Sequence, residues 1–235
     1  MTLGRGSQLI LDLPHRPALG RDDFLVSRSN AEAVAFIDRW PAWAVKTLAL
    51  VGPPGSGKSH LAEVWRQMSK AQTVAAAALT QDGIPSLLTS GALIIEDAPG
   101  PSLDERALFH LVNLSREQDG FLLIASRELP ASWPLALPDL ISRLKAMPVA
   151  TVGLPDDHLL RGVLVKLFAD RQIAVDEPIV TYLMARIPRS LAAARLLVSE
   201  IDRRALEEKA EVTRNFVARV LAGVSEPGLF GDDGA

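Results

Sequence analysis

Residues 52–59 read Gly52-Pro53-Pro54-Gly55-Ser56-Gly57-Lys58-Ser59, the pattern G-x-x-x-x-G-K-S. No other stretch limits the fold so tightly. Its glycines let successive backbone N–H groups turn inward around an anion. Lys58 has the reach for the outer phosphates of a nucleotide, and the Ser59 hydroxyl can ligate magnesium. Such a loop works when a buried strand delivers it and a helix leaves it, because the helix N-terminus then faces the negative charge. Both flanks comply. Lys46-Thr47-Leu48-Ala49-Leu50-Val51 is an apolar run that reads as a buried strand, and Ser59-His60-Leu61-Ala62-Glu63-Val64-Trp65 opens a helix. The loop set is therefore Gly52, Pro53, Gly55, Ser56, Gly57, Lys58, Ser59 and His60.

Further apolar runs follow at intervals. Residues 73–77 read as a second strand, Leu93-Ile94-Ile95 as a third ending in Glu96-Asp97, residues 121–125 as a fourth and residues 148–152 as a fifth. Helical patterns lie before and between them, including one from Asn30 to about Trp40. Another opens at Ser102-Leu103-Asp104-Glu105, which has the form of a capping box. Strands alternating with helices predict an α/β fold, a parallel sheet covered on both faces. From residue 156 onward only helical patterns remain, near 156–171, 177–187, 189–208 and 212–222. Asp156 and Asp176 suit N-caps and Pro178 suits a first turn. The expected division is a flexible arm over 1–20, an α/β nucleotide-binding body over 21–155, a small all-helical lid over 156–222 and a disordered tail over 223–235.

Bulk properties exclude several classes. The chain of 235 residues has a net charge of −3, so it is not a general electrostatic binder of nucleic acid. It has no cysteine, which removes disulfides and thiolate metal sites and fits a reducing cytoplasm. No signal peptide is visible, and no apolar run is long enough to span a bilayer. The four histidines are scattered without metal-ligand spacing and read as surface or packing residues; His60 alone adjoins the loop. Trp40, Trp43, Trp65 and Trp133 read as packing residues.

The remaining polar candidates sit at strand ends or in the helical half. Glu96 and Asp97 close a buried strand at its carboxyl end, the edge where open α/β sheets bind ligands. One carboxylate there can hold magnesium and a second can orient an attacking water. Ser126 follows the fourth strand and can hydrogen-bond a γ-phosphate. Arg143 lies on a short helix before the last strand, where a guanidinium can reach across an assembly interface. Arg189 can fold back from the lid, though nothing in composition selects it over Arg186 or Arg195.

The order of these features resembles the AAA+ ATPases, and within them the DnaA initiator family, over roughly residues 8–222. Asp23-Phe24-Leu25-Val26 is similar to the family's entry segment beside adenine, which implies roles for Phe24 and Val26. Leu137-Pro138-Asp139-Leu140-Ile141-Ser142-Arg143-Leu144 resembles its finger motif. Arg189-Ser190-Leu191 resembles the R-x-L motif of the lid, and Ser126 takes the place of the first sensor. The resemblance implies bound ADP or ATP with Mg2+, held in part by Ser59 and Glu96.

Two features narrow it. The chain ends after the lid, so no domain for sequence-specific DNA binding is expected. Residues 8–13, Gln8-Leu9-Ile10-Leu11-Asp12-Leu13, are similar to the peptide that docks on the replicative sliding clamp. Gln8 would offer an amide and Leu9, Leu11 and Leu13 apolar contacts, on a mobile arm. Together these resemble the Hda-like branch of the family, which switches the initiator off. The implied mechanism places Arg143 in the active site of ATP-bound DnaA, a contact worth about 10³–10⁵ in rate. A homodimer is compatible with this reading.

One departure is chemical. The family's acidic pair runs Asp then Glu, and here it is Glu96 then Asp97. A carboxylate withdrawn by about 1 Å from the attacking water can cost about 100-fold, so slow intrinsic hydrolysis is expected. Three other readings remain open. A loader of replicative helicase predicts helicase and single-stranded DNA binding without residues 8–13. A self-contained P-loop kinase or ATPase predicts fast turnover alone. A nucleotide-stabilised scaffold predicts no effect of Arg143 on a partner.

Overall fold

The computed structural model describes residues 20–21 and 24–224. The candidate clamp-binding residues Gln8, Leu9, Leu11 and Leu13, and the tail from 225, lie outside them. The five apolar runs form strands β1 (Thr47–Val51), β2 (Gln72–Ala75), β3 (Ala92–Ala98), β4 (Phe121–Ser126) and β5 (Val149–Thr151). They pair in one parallel sheet in the order β2-β3-β4-β1-β5. The body helices are α1 (Ala31–Asp38), α2 (Lys58–Ser69), α3 (Ile84–Leu87), α4 (Glu105–Glu117) and α5 (Pro138–Lys145). The helical half contributes α6 (Asp157–Asp170), α7 (Glu177–Met184), α8 (Leu191–Glu208) and α9 (Arg214–Val224). Among the described residues no helix is long and apolar enough to cross a membrane.

Side chains alternate across a strand, and β1 feeds two cores because of it. Leu48 and Leu50 face α1 and α2, packing with Ile37, Leu61, Trp65 and Leu123. Ala49 and Val51 face the other way, with Leu108 and Leu111 of α4 and Leu140 and Leu144 of α5. All five residues of β1 are buried. That explains why Leu48 to Val51 are continuously apolar instead of alternating. Trp43 and Trp65 stack with centroids 5.3 Å apart, and Trp133 is buried in the core beneath α5. A third core draws its members from α6 to α9, around Leu164, Phe168, Leu183, Leu197 and Phe216. Asp156, Asp176 and Ser190 cap α6, α7 and α8 through their side chains, at Leu159, Ile179 and Ala193 respectively.

Three local expectations need correction. The cap of α4 is Asp104, whose Oδ1 accepts from the backbone of Arg106 (2.9 Å) and Ala107 (3.0 Å), not Ser102. Glu105 therefore does not close a capping box. Its carboxylate instead accepts from the backbone of Ala136 and Leu137, at the start of α5. The second strand stops at Ala75, and Ala76–Ala78 turn into a 3-10 helix that tucks Ala76 into the core. The helix after Asn30 ends at Asp38, short of Trp40.

Candidate functional site

Sequence order scatters the candidate residues; strand order gathers them. In register, Val51 lies opposite Ser126, and Ser126 lies opposite Ala98 on its other side. The ends of β1, β4 and β3 are thus level and adjacent. The glycine-rich loop leaves one, Ser126 closes the second, and Glu96 and Asp97 stand near the end of the third. One cavity of about 140 Å³ collects Lys58, Ser59, Glu96, Asp97, Ser126 and Arg127.

The loop takes its shape from positions where a side chain would not fit. Gly55 (φ 72°) and Gly57 (φ 103°) are left-handed, a conformation glycine adopts without penalty. A Cβ on Gly55 would sit 2.0 Å from Ser190 Oγ, so the start of α8 rests directly on the loop. The backbone N–H of Leu191 donates to Gly55 O at 2.8 Å, and the Leu191 side chain lies over Gly57. Lys58 Nζ donates to the carbonyls of Gly52 (2.5 Å) and Pro53 (2.9 Å). Burial holds its pKa below the ordinary lysine value; the nearby Arg127 charge adds to this and Asp97 opposes it. Ser56 is buried, and its hydroxyl has no hydrogen-bond partner among the described residues.

The acidic pair occupies a β-bulge. Ile95 pairs with Ile124 and Ala98 with Ser126, so Glu96 and Asp97 together face Ala125 alone. Asp97 has φ 55°, in the left-handed region. Glu96 is half-buried, and its pKa is raised by that burial, then by Asp97 and Glu63. These residues fit a nucleotide phosphate with its metal. Glycines and a lysine suit the anion. One hydroxyl and one or two carboxylates suit magnesium, which takes its other ligands from water and phosphate. Among the described residues no group of three or more acidic or histidine side chains forms a metal site by itself.

The remaining candidates divide. Phe24 is buried, its ring edge-on to His60 at 4.9 Å, while Val26 is exposed. His60 also meets Arg195 of α8, with Nη2 2.8 Å from Nδ1. Arg189 is more than half exposed, pairs with Asp157 at 2.8 Å and does not line the cavity. Arg195, in contrast, is desolvated enough to lower its pKa. Arg143 stands elsewhere. It shares a second cleft, of about 610 Å³, with Lys46, Thr47, Arg116 and Met147, and its guanidinium lies 5.7 Å from the Phe109 ring. Thr47 begins β1 and the loop follows its end. Four steps of strand, about 13 Å, therefore separate the two sites. Arg127 also lines the first cavity, a place marked in the sequence only by its position directly after Ser126.

No protein-family model matches the sequence, and no curated relative does. Solved structures do. Domain III of the replication initiation protein DnaA from Thermotoga maritima matches with TM-score 0.75 at 17% identity, over 91% of this chain and 100% of that one. The replication initiator DnaA bound to AMPPCP and single-stranded DNA matches with TM-score 0.67 at 15% identity, over 83% of this chain and 69% of that one. The Holliday junction branch migration motor RuvB of Thermotoga maritima matches with TM-score 0.71 at 16% identity, over 93% of this chain and 76% of that one. At these identities the likeness is one of fold: a five-stranded parallel sheet flanked by helices, followed by a helical half, is shared with these structures.

Proposed function

We propose that this chain is an adenine-nucleotide-binding regulator of replication initiation, similar to the Hda-like branch of the DnaA family. ADP or ATP sits in the loop of Gly52 to Ser59, with the base toward Phe24 and Val26. Ser59 and Glu96 are the donors for magnesium, which neutralises charge on the outer phosphates. Residues 8–13 dock on the sliding clamp and bring the body to newly replicated DNA. Arg143 then enters the nucleotide site of ATP-bound DnaA and stabilises charge developing on its γ-phosphate.

The observation that carries this reading is the separation of Arg143 from its own loop. A guanidinium at the opposite end of β1, opening into a separate cleft, serves a phosphate on another molecule better than its own. The adenine specificity draws support from the fold shared with a DnaA that binds AMPPCP.

The test measures hydrolysis of DnaA-bound ATP with this protein, clamp and DNA present. Arg143→Ala should abolish the stimulation, a fall of about 10³-fold or more. Gln8→Ala and Leu11→Ala should weaken it while leaving nucleotide binding intact. If none of the three matters, the regulator reading fails. Binding to helicase and single-stranded DNA without residues 8–13 would then favour the loader.

A further inference from the structure

The helical half carries a cavity of its own, far from the phosphate loop in the sequence. Its volume is about 460 Å³, and Val175, Ile179 and Val212 give it an apolar floor. Asp176 is the one acid among its lining residues, and that carboxylate is engaged in capping α7, where it accepts from the Ile179 N–H. Arg214, the first residue of α9, stands on the rim. Its guanidinium lies 5.1 Å from the Tyr182 ring, and the Arg186 guanidinium lies 3.8 Å from the same ring. Both arginines are exposed, and among the described residues neither has an acidic partner. Two guanidinium charges gathered at one ring repel, and an anion beside them relieves the repulsion.

The residues that follow α9 have the complementary pattern. Residues 225–235 contain Glu226, Asp232 and Asp233 and no Lys or Arg, with Leu229-Phe230 between the acids. The reach fits as well. From Val224 back to Arg214 along α9 is about 15 Å at the helical rise. Leu229 and Phe230 come five and six residues after Val224, an extended length of about 17–20 Å. Pro227 and Gly228, just before them, suit a reversal of direction. The apolar pair can thus reach the apolar floor, and the two aspartates can reach the two arginines.

We propose that the segment Glu226 to Asp233 of this same chain docks beside α7 and the start of α9. Leu229 and Phe230 seat against Val175, Ile179 and Val212, and Asp232 and Asp233 pair with Arg186 and Arg214. Held there, the segment screens both arginines from other anions. Neither the phosphate loop nor Arg143 takes part.

The test uses the full chain, which has no cysteine of its own. Val212→Cys with Leu229→Cys supplies two thiols, and a disulfide closes only where their Cα atoms come within about 7 Å. Mild oxidation should join them within one molecule, read by mass spectrometry and by electrophoresis without reductant. Adding Asp232→Asn and Asp233→Asn should slow the closure about three- to tenfold, as should Arg186→Gln with Arg214→Gln. All four together should slow it no further than either pair, because each pair removes the same contact. Melting curves check that each variant folds, and Ala174→Cys, exposed on the same cavity, replaces Val212→Cys if that one does not. Closure at one rate whatever the charges, or no closure, would overturn the proposal. Disulfide-linked dimers in place of the internal bond would overturn it too, and would assign the cavity to a second copy of the chain.

Discussion

Glu96 and Asp97 stand in a bulge, and the bulge supplies a reason for their order. Asp97 has a left-handed backbone. Aspartate tolerates that conformation better than most residues, because its short polar side chain can bond locally. The position that bends is thus filled by the shorter acid, and the longer acid falls one place earlier. The reversed order is visible in the sequence but its cause is not, since a bulge appears only when β3 is paired with β4. Exchanging the two acids, Glu96→Asp with Asp97→Glu, should raise ATP hydrolysis by the isolated protein up to about 100-fold. It should also cost about 1 kcal/mol of stability at the left-handed position. Single-turnover hydrolysis and thermal melting measure the two effects. A wild-type protein that already turns over quickly, or an exchanged variant that slows, contradicts the argument.

At the scale of elements, α4 holds α5 at two points. The Glu105 carboxylate takes the backbone N–H groups of Ala136 (3.0 Å) and Leu137 (2.7 Å) at one end. One turn further along α4, the Phe109 ring carries the Arg143 guanidinium. Leu137, the N-cap of α5, has no side-chain oxygen with which to cap it. Glu105 supplies that function from a distance of 32 residues in sequence. The motif at Ser102 to Glu105 suggested a local use of this carboxylate, and the chain uses it non-locally. That a helix starts here was legible in the sequence; that its cap is Asp104, two residues after Ser102, was not. Nor was the partner of Glu105. Glu105→Ala should cost about 1–2 kcal/mol, as loss of a cap does. If α5 presents Arg143 to a partner, it should also reduce stimulation of DnaA-bound ATP hydrolysis while binding of the chain's own nucleotide is retained. Full stimulation with an unchanged melting temperature would remove Glu105 from this role.

Over the whole molecule, the helical half and the α/β half meet at the loop. Ser190 caps α8 and presses against Gly55, and the Leu191 N–H bonds to the Gly55 carbonyl. Nucleotide bound in the loop, as proposed, would therefore act on both halves. Ligand at about 100 times its Kd adds about 2.7 kcal/mol to stability, about 5–10 °C for a chain of this size. Gly55→Ala places a Cβ 2.0 Å from Ser190 Oγ and disfavours the left-handed turn, so loop and lid cannot keep their contact. That variant should lose most of the nucleotide-dependent rise in melting temperature. A rise equal to that of the wild type would show that the contact is dispensable.

The sequence by itself determined the loop, the alternation of strand and helix and the all-helical second half. Each of these is written in local terms: glycine at left-handed turns, apolar period, and capping residues beside the helices they start. The strand-end residues Glu96 and Ser126 were legible for the same reason. The tertiary structure alone decided which of them meet, because the order β2-β3-β4-β1-β5 is a matter of non-local pairing that no short window encodes. It also decided that Arg127 shares their cavity, that Ser126 gives its proton to Glu128, and that Arg143 stands at the far end of β1. Side-chain partners across a sheet or between helices depend on register and packing, and those exist only once the chain has folded.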